Sequence, residues 1–334
     1  MPLSDLRFLA LNAWLQQLFD TQVRPILISG DASFRRYFRV QHNDKSFIVM
    51  DSPPELINVL PFIKLASRYS EEGVNVPQVI ESNIEEGFLL LSDLGDVQLL
   101  SVLNEDNVVG YYGEALLLLK KMSLVTDNGE MPLPLYDEAF VKLELDIFSD
   151  WLIKRHLDIE LDDSTQDMLK ITFSHLIQNA EVQPKVGMHR DYHSRNLMLQ
   201  DEQLRVIDFQ DAVLGPVTYD AVSLLRDCYI RWPDKVVSQL MLQHFEQIKA
   251  SGQLDNCVSI ATYTRWFDLM GLQRHIKAAG IFARLKYRDD KPAYMANIPL
   301  TLEYIRDISD NYLELKPFSD WVSNVVIPAV EASS

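Results

Sequence analysis

The chain has 334 residues, 47% of them hydrophobic, enough for two modest lobes that each carry a core. Its 31 Lys and Arg face 48 Asp and Glu, a formal net charge of −17, so the average surface repels polyanions and no nucleic-acid partner is expected. Two separate cysteines, Cys228 and Cys257, suggest neither a disulfide framework nor a CxxC zinc site and fit a reducing cytoplasm.

Residues 3–19 carry Leu6, Leu9, Ala10, Ala13 and Trp14 at helical spacing, without the basic leader of a signal peptide, and read as a helix. Strands follow at 26–28, 34–40 and 46–50, a three-stranded meander whose first turn is Gly30-Asp31-Ala32-Ser33. Residues 55–70 space Leu56, Val59, Leu60, Ile63 and Ala66 as a helix. Residues 79–82 and 88–91 make a strand pair around the turn 85–87. Together these are an antiparallel sheet covered by a helix. Beyond residue 99 long helical patterns dominate, as at 107–125 and 137–156, with a loop at 132–134. The division is expected at 92–96, where Gly95 permits a bend, giving an N-lobe of 1–95 and a C-lobe of 96–334. The apolar run 115–119 ends at Lys120-Lys121, too short for a membrane span, so no membrane anchor is expected.

The informative stretch is His189-Arg190-Asp191-Tyr192-His193-Ser194-Arg195-Asn196, with Asp208-Phe209 after the apolar pair Val206-Ile207. Transfer of a γ-phosphoryl needs one carboxylate near the attacking hydroxyl and separate oxygen ligands for magnesium on the phosphates. A loop bearing Asp191 and Asn196, followed by a hairpin turning at 201–202, returns Asp208 beside Asn196. Asp191 is thus expected to orient the acceptor and take its proton, and Asn196 and Asp208 to hold Mg2+ on ATP. His189 is expected to hold the loop's shape, while His193 and Arg195 are in reach of the transferred phosphate. Asp220, read as the start of a helix opened by residues 215–220, is expected to accept backbone N–H bonds from the loop, and Asp211 to face the acceptor. Gly30 to Ser33 alone suits a plain β-turn, but beside this motif Ser33 and Phe34 are expected over the nucleotide, with Asp93 and Leu94 of the hinge against it.

These residues resemble the aminoglycoside phosphotransferase and choline kinase superfamily over nearly the whole chain. The resemblance implies a two-lobed, protein-kinase-like α+β fold, with an antiparallel sheet and helix in the N-lobe and a mainly helical C-lobe. Within it, residues 30–39, 49–55 and 272–285 are similar to the bacterial anomeric sugar kinases. That likeness implies ATP-dependent phosphorylation of the anomeric hydroxyl of N-acetylmuramate or N-acetylglucosamine, feeding cell-wall recycling. The residues themselves argue only phosphoryl transfer to a hydroxyl, leaving an aminoglycoside, choline or homoserine as other acceptors.

One position departs from the broader kinase pattern. Met50 stands where the third strand would carry a phosphate-pairing Lys, so Arg36, Arg39 or Lys45 is expected to supply the charge, or magnesium to do more of the neutralisation; a nucleotide-binding module without turnover is the other reading. Arg274 and Lys277 sit on a basic helix segment that ordinarily makes a solvated face, but a lactyl carboxylate on the sugar would favour one of them nearby.

Overall fold

The computed structural model describes residues 3–30 and 34–333, so Ser33 and most of the first turn lie outside the described residues. The chain divides into two compact units, which exchange strands of sequence. The first comprises residues 1–102, 128–131 and 195–211, and the second 103–127, 132–194 and 212–334.

The first unit begins with helix α1 (Leu3–Phe19), then strands β1 (Ile26–Gly30), β2 (Arg36–His42) and β3 (Lys45–Asp51), helix α2 (Leu60–Glu71), and strands β4 (Val79–Asn83) and β5 (Phe88–Ser92). They form one antiparallel sheet in the order β1-β2-β3-β5-β4. Alternation along the strands gives one sheet face Phe38, Val40, Val49, Phe88 and Leu90, which close on Leu11 and Leu15 of α1. The meander and the later strand pair therefore stand where the hydrophobic pattern puts them.

Helix α2 starts five residues later than its periodicity suggests. Pro61 lacks an N–H and clashes with a preceding helical carbonyl, so it fits the first turn but not the interior of a helix. Accordingly residues 54–57 form turns closed by Leu56 and Ile57 N–H on the Pro53 carbonyl, and the Leu60 N–H is met by Asn58 Oδ1 at 3.0 Å. Gly95 has φ +78°, the left-handed bend expected after β5.

The second unit continues with α3 (Val108–Met122), α4 (Glu138–Ile147), which runs on as π-helical turns over Phe148–His156, α5 (Asp163–Glu181) and β6 (Lys185–Met188). The hairpin β7 (Leu197–Gln200) and β8 (Gln203–Val206) belongs to the first unit. Its turn residues Asp201 and Glu202 have φ 52° and 60°, the paired left-handed conformation that suits a two-residue hairpin. The chain then returns as β9 (Val213–Pro216), α6 (Tyr219–Leu225), α7 (Asp234–Ala250), α8 (Ile260–Arg288) and α9 (Ile298–Ser309). Gly215 and Pro216 pair with Val186 and Lys185 in β9 before the helix begins at Tyr219, so the helix expected over 215–220 opens later.

Helix α8 is the axis of the second unit and is buried on most of its faces. It packs closely at Gly280, where a Cβ would stand 2.5 Å from the Phe148 amide nitrogen and 2.7 Å from the Ile147 carbonyl. Backbone cannot yield there as a flexible side chain would, so Gly280→Ala is expected to destabilise the protein by about 2–3 kcal/mol. Urea unfolding of the two proteins checks this, and an unchanged midpoint would show that α8 can shift without cost.

Candidate active site

In the second unit the loop after β6 is fixed at three points. The Asp220 carboxylate accepts the N–H groups of His189 (2.6 Å) and Arg190 (3.0 Å), as expected for an Asp opening α6. Buried Tyr192 donates its hydroxyl to the Ala115 carbonyl at 2.7 Å. Asp227 accepts from both the amide (3.1 Å) and the hydroxyl (2.5 Å) of Ser194. Arg190 is held at φ 79°, a conformation that a residue other than glycine adopts only when its neighbours over-determine it. The His189 ring receives the Asp191 N–H at 3.2 Å, which is the shape-holding role expected of it.

So fixed, Asp191 and His193 line a cavity of ≈90 Å³ together with Asp227, Cys228, Arg274 and Lys277. Burial pushes the Asp191 carboxyl up, but Lys277, His193, Arg274 and Arg190 outweigh it and hold the group down at about 2. Burial also lowers the His193 imidazole, so near neutral pH that ring is uncharged and the lasting pull comes from Lys277, Arg274 and Arg190. The same burial raises the Cys228 thiol to about 12. Arg274 and Lys277 are each 7% exposed, which excludes the solvated-face reading of the basic helix segment.

Lys277 and Arg190 are balanced by a residue that the sequence reading missed. Glu144 is buried on α4, where its carboxylate takes Lys277 Nζ (2.8 Å), the Tyr136 hydroxyl (2.6 Å), Gln273 Nε2 (3.1 Å) and the Arg190 guanidinium (3.3 Å). The signal was present: Val141, Glu144 and Leu145 share the buried stripe of α4, so the Glu interrupts an apolar face.

The first unit holds a second cavity, of ≈330 Å³, lined by Ile48, Leu91, Leu94 and Met198 as an apolar slot and by Asn196 and Asp208 at a polar end. Pairing across β7 and β8, extended by the Ile207 N–H to the Asn196 carbonyl (3.0 Å), brings Asn196 Nδ2 to 3.4 Å from Asp208 Oδ2. Asp208 has φ 64°, and the next residue, Phe209, is buried against Phe62 and Tyr69 of α2. Gln210 donates to Asp208 Oδ1 at 2.8 Å while its own Oε1 is buried without a hydrogen-bond partner. These hard oxygen donors fit a magnesium ion that keeps water and phosphate as its other ligands. Among the described residues no group of three or more His, Cys, Asp or Glu gathers to hold a metal by itself.

Arg39, on β2 opposite Ile48, lies on the cavity face of the sheet. It donates to Asp93 (2.6 and 3.0 Å) and Asp96 (2.8 Å), and Asp93 also accepts from Ser46 and the Gly95 amide. Arg36, three residues away and so on the other face, joins Arg7 in clamping the buried Asp51. Met50 is buried between Tyr37 and Leu89. Thus Arg39, Asp93, Leu94, Asn196 and Asp208 line one cavity, and Asp191, His193, Arg274 and Lys277 line the other. Phe34 is exposed, Arg36 is turned to Asp51, and Arg195 and Asp211 line neither cavity.

Neutralising Glu144 would take from buried Lys277 its ion-pair partner and from Arg190 one of its contacts. Glu144→Gln is expected to cost about 3–5 kcal/mol at pH 7. Burial raises this carboxyl, but Lys277, Tyr136 and Arg190 together bring it below its ordinary value. The wild-type advantage is therefore complete above the ordinary glutamate range and fades as pH falls through the lowered folded value. Paired denaturation curves from pH 7 to 3 read this directly, and an advantage that grew on acidification would contradict it.

Known proteins resemble this chain over most of its length. A model of the phosphotransferase enzyme family matches residues 26–251. The N-acetylmuramate/N-acetylglucosamine kinase of Pseudomonas aeruginosa is 41% identical over 312 residues, which span 90% of this chain and 91% of that one. The Neisseria meningitidis serogroup B protein of the same name is 38% identical, covering 93% of each chain. Among solved structures, the GDP complex of aminoglycoside 2′-phosphotransferase-IIIa superposes with a TM-score of 0.61 at 18% identity, covering 91% of this chain and 99% of that one. Choline kinase LicA from Streptococcus pneumoniae gives 0.58 at 10% identity, over 89% and 98%. These likenesses carry the protein-kinase-like α+β fold. With a family model spanning well over half of it and such relatives along almost its full length, this chain belongs to the phosphotransferase enzyme family and is a phosphotransferase with a hydroxyl acceptor.

Proposed function

We propose that the protein transfers the γ-phosphoryl group of ATP to the anomeric hydroxyl of N-acetylmuramate or N-acetylglucosamine, giving the sugar 1-phosphate in recycling of cell-wall precursors. What carries the reading is the likeness, over nine-tenths of both chains, to relatives named as kinases of these two sugars. The acceptor-side cavity supports it chemically, since it sets the Asp191 carboxylate beside Arg274 and Lys277, where a hydroxyl acceptor can be oriented.

In this reading Asp191, ionised at neutral pH, accepts a hydrogen bond from the anomeric hydroxyl and turns one oxygen lone pair toward phosphorus. The bond from that oxygen to the γ-phosphorus forms, the bond from phosphorus to the β,γ-bridging oxygen breaks, ADP leaves with the electron pair, and the proton passes to Asp191. A base held at about 2 is weak, but a largely dissociative phosphoryl transfer asks for orientation more than for proton abstraction. Asn196 and Asp208 would hold magnesium, steadied by Gln210, and the ion when bound offsets phosphate charge. The apolar slot of Ile48, Leu91, Leu94 and Met198 suits the flat face of the base.

The deciding experiment is ADP release with magnesium-ATP and, separately, N-acetylmuramate, N-acetylglucosamine, kanamycin and choline, with phosphorus coupling at C1 identifying the product. Turnover on an amino sugar is expected, falling roughly 10²–10⁴-fold in Asp191→Asn while ATP still binds. Turnover on kanamycin or choline alone would keep the family and discard the sugar, and silence on all four would favour the nucleotide-binding module suggested by Met50.

Arg39 is our choice for the cation that replaces the strand-three Lys, because it faces the nucleotide cavity and Arg36 does not. Arg39→Ala is expected to raise the KM for ATP about tenfold, the loss of about 1.4 kcal/mol of binding, whereas Arg36→Ala should lower Tm with little change in that KM. Equal ATP affinities in wild type and Arg39→Ala would reject the assignment.

A further inference from the structure

Arg274 and Lys277 line the acceptor-side cavity from adjacent positions on α8, equally buried but differently compensated. Lys277 Nζ lies 2.8 Å from Glu144 and 3.0 Å from the Tyr219 hydroxyl, so its charge is matched and its donors are directed into the protein. Arg274 instead lies over the Tyr219 ring, 5.1 Å from its centroid, hydrogen-bonded to Tyr219 and attracted by Asp191 without an ion-pair contact, with Nε buried and lacking a hydrogen-bond partner. No ion pair fixes its guanidinium among the described residues. The cavity's other acids are otherwise committed: Asp227 accepts from Ser194 and from the Tyr229 amide, and Asp191 stands at the reacting position. A desolvated guanidinium without a bonded anion is costly, and the cost is recovered when a ligand brings the anion. The cavity, of ≈90 Å³, is small and lined by Arg274, Lys277 and Asp191, as suits one charged arm of a ligand.

We propose that Arg274 is the residue that receives the carboxylate of an acidic acceptor, so that this site prefers an amino sugar bearing a carboxylate arm, such as N-acetylmuramate, over its neutral counterpart. The planar guanidinium fork matches a carboxylate with two parallel hydrogen bonds, which an ammonium cannot do. Lys277 stays with Glu144 and takes no part in that choice. This inference rests on the amino-sugar reading of the proposed function.

The test compares kcat/KM for N-acetylmuramate, its methyl ester and N-acetylglucosamine in wild type, Arg274→Gln and Arg274→Lys. In wild type, esterification is expected to lower kcat/KM at least tenfold, through KM. In Arg274→Gln the preference for N-acetylmuramate over N-acetylglucosamine should fall at least tenfold, and esterification should then cost less than threefold, with Arg274→Lys regaining part of the preference. The proposal is overturned if Arg274→Gln slows both sugars by one factor, or if the ester effect is the same with and without the guanidinium. It is also overturned if wild type is indifferent to the ester, a result that needs no folded variant. If wild type turns over none of the three compounds, the amino-sugar reading itself fails and this inference falls with it.

Discussion

The buried carboxylate of Glu144 is the interaction on which the acceptor half depends. Lys277 is buried and Arg190 partly so, and both charges, taken from water, need a carboxylate that meets them directly. Glu144 meets that need from α4, and Tyr136 and Gln273 fill its remaining acceptor sites. One residue thereby joins α4, the loop and α8 around the reactive carboxylate. The arrangement also separates roles: Lys277 is bound into the scaffold, and Arg274 is left with a surface to offer.

The first unit follows the same logic with the signs exchanged. There Asp93 and Asp51 are the buried acids, and each is met by arginines of β2, one on either face of the strand. Strand alternation decides which arginine sees the cavity. Asp208 accepts from the amides of Asn196 and Gln210, which orient its carboxylate as a ligand for a cation should be oriented.

Much of this was legible in the sequence because it is local. The spacing of Asp191, Asn196 and Asp208 encodes a loop and a hairpin, and the turn at Asp201-Glu202 fell where the pattern put it. The start of α2 lies later than its apolar periodicity indicates, because Pro61 fits only the first turn of a helix. Glu144 and Asp227 were missed for a different reason, since their partners lie far off in sequence, Glu144 and Gln273 being 129 residues apart. Arg274 and Lys277 looked surface-like because α8 is buried nearly all round, which erases the polar face that periodicity needs. Burial of a charge is a property of the assembled unit, and only the partner that compensates it makes it visible.

The hairpin between Asn196 and Asp208 places a constraint on how such a chain can vary. Because the two residues flank the base of one antiparallel ladder, their spacing is counted in paired residues, one on each strand. A pair added at the Asp201-Glu202 tip merely lengthens the ladder and leaves its base untouched. A single residue added at the tip changes the turn, whereas one added inside either strand shifts the register and turns alternate side chains to the opposite face, unless a bulge absorbs it. Length variation among relatives should therefore collect at this tip and spare the strands, so that the loop can drift while the distance between the two oxygen donors is inherited unchanged.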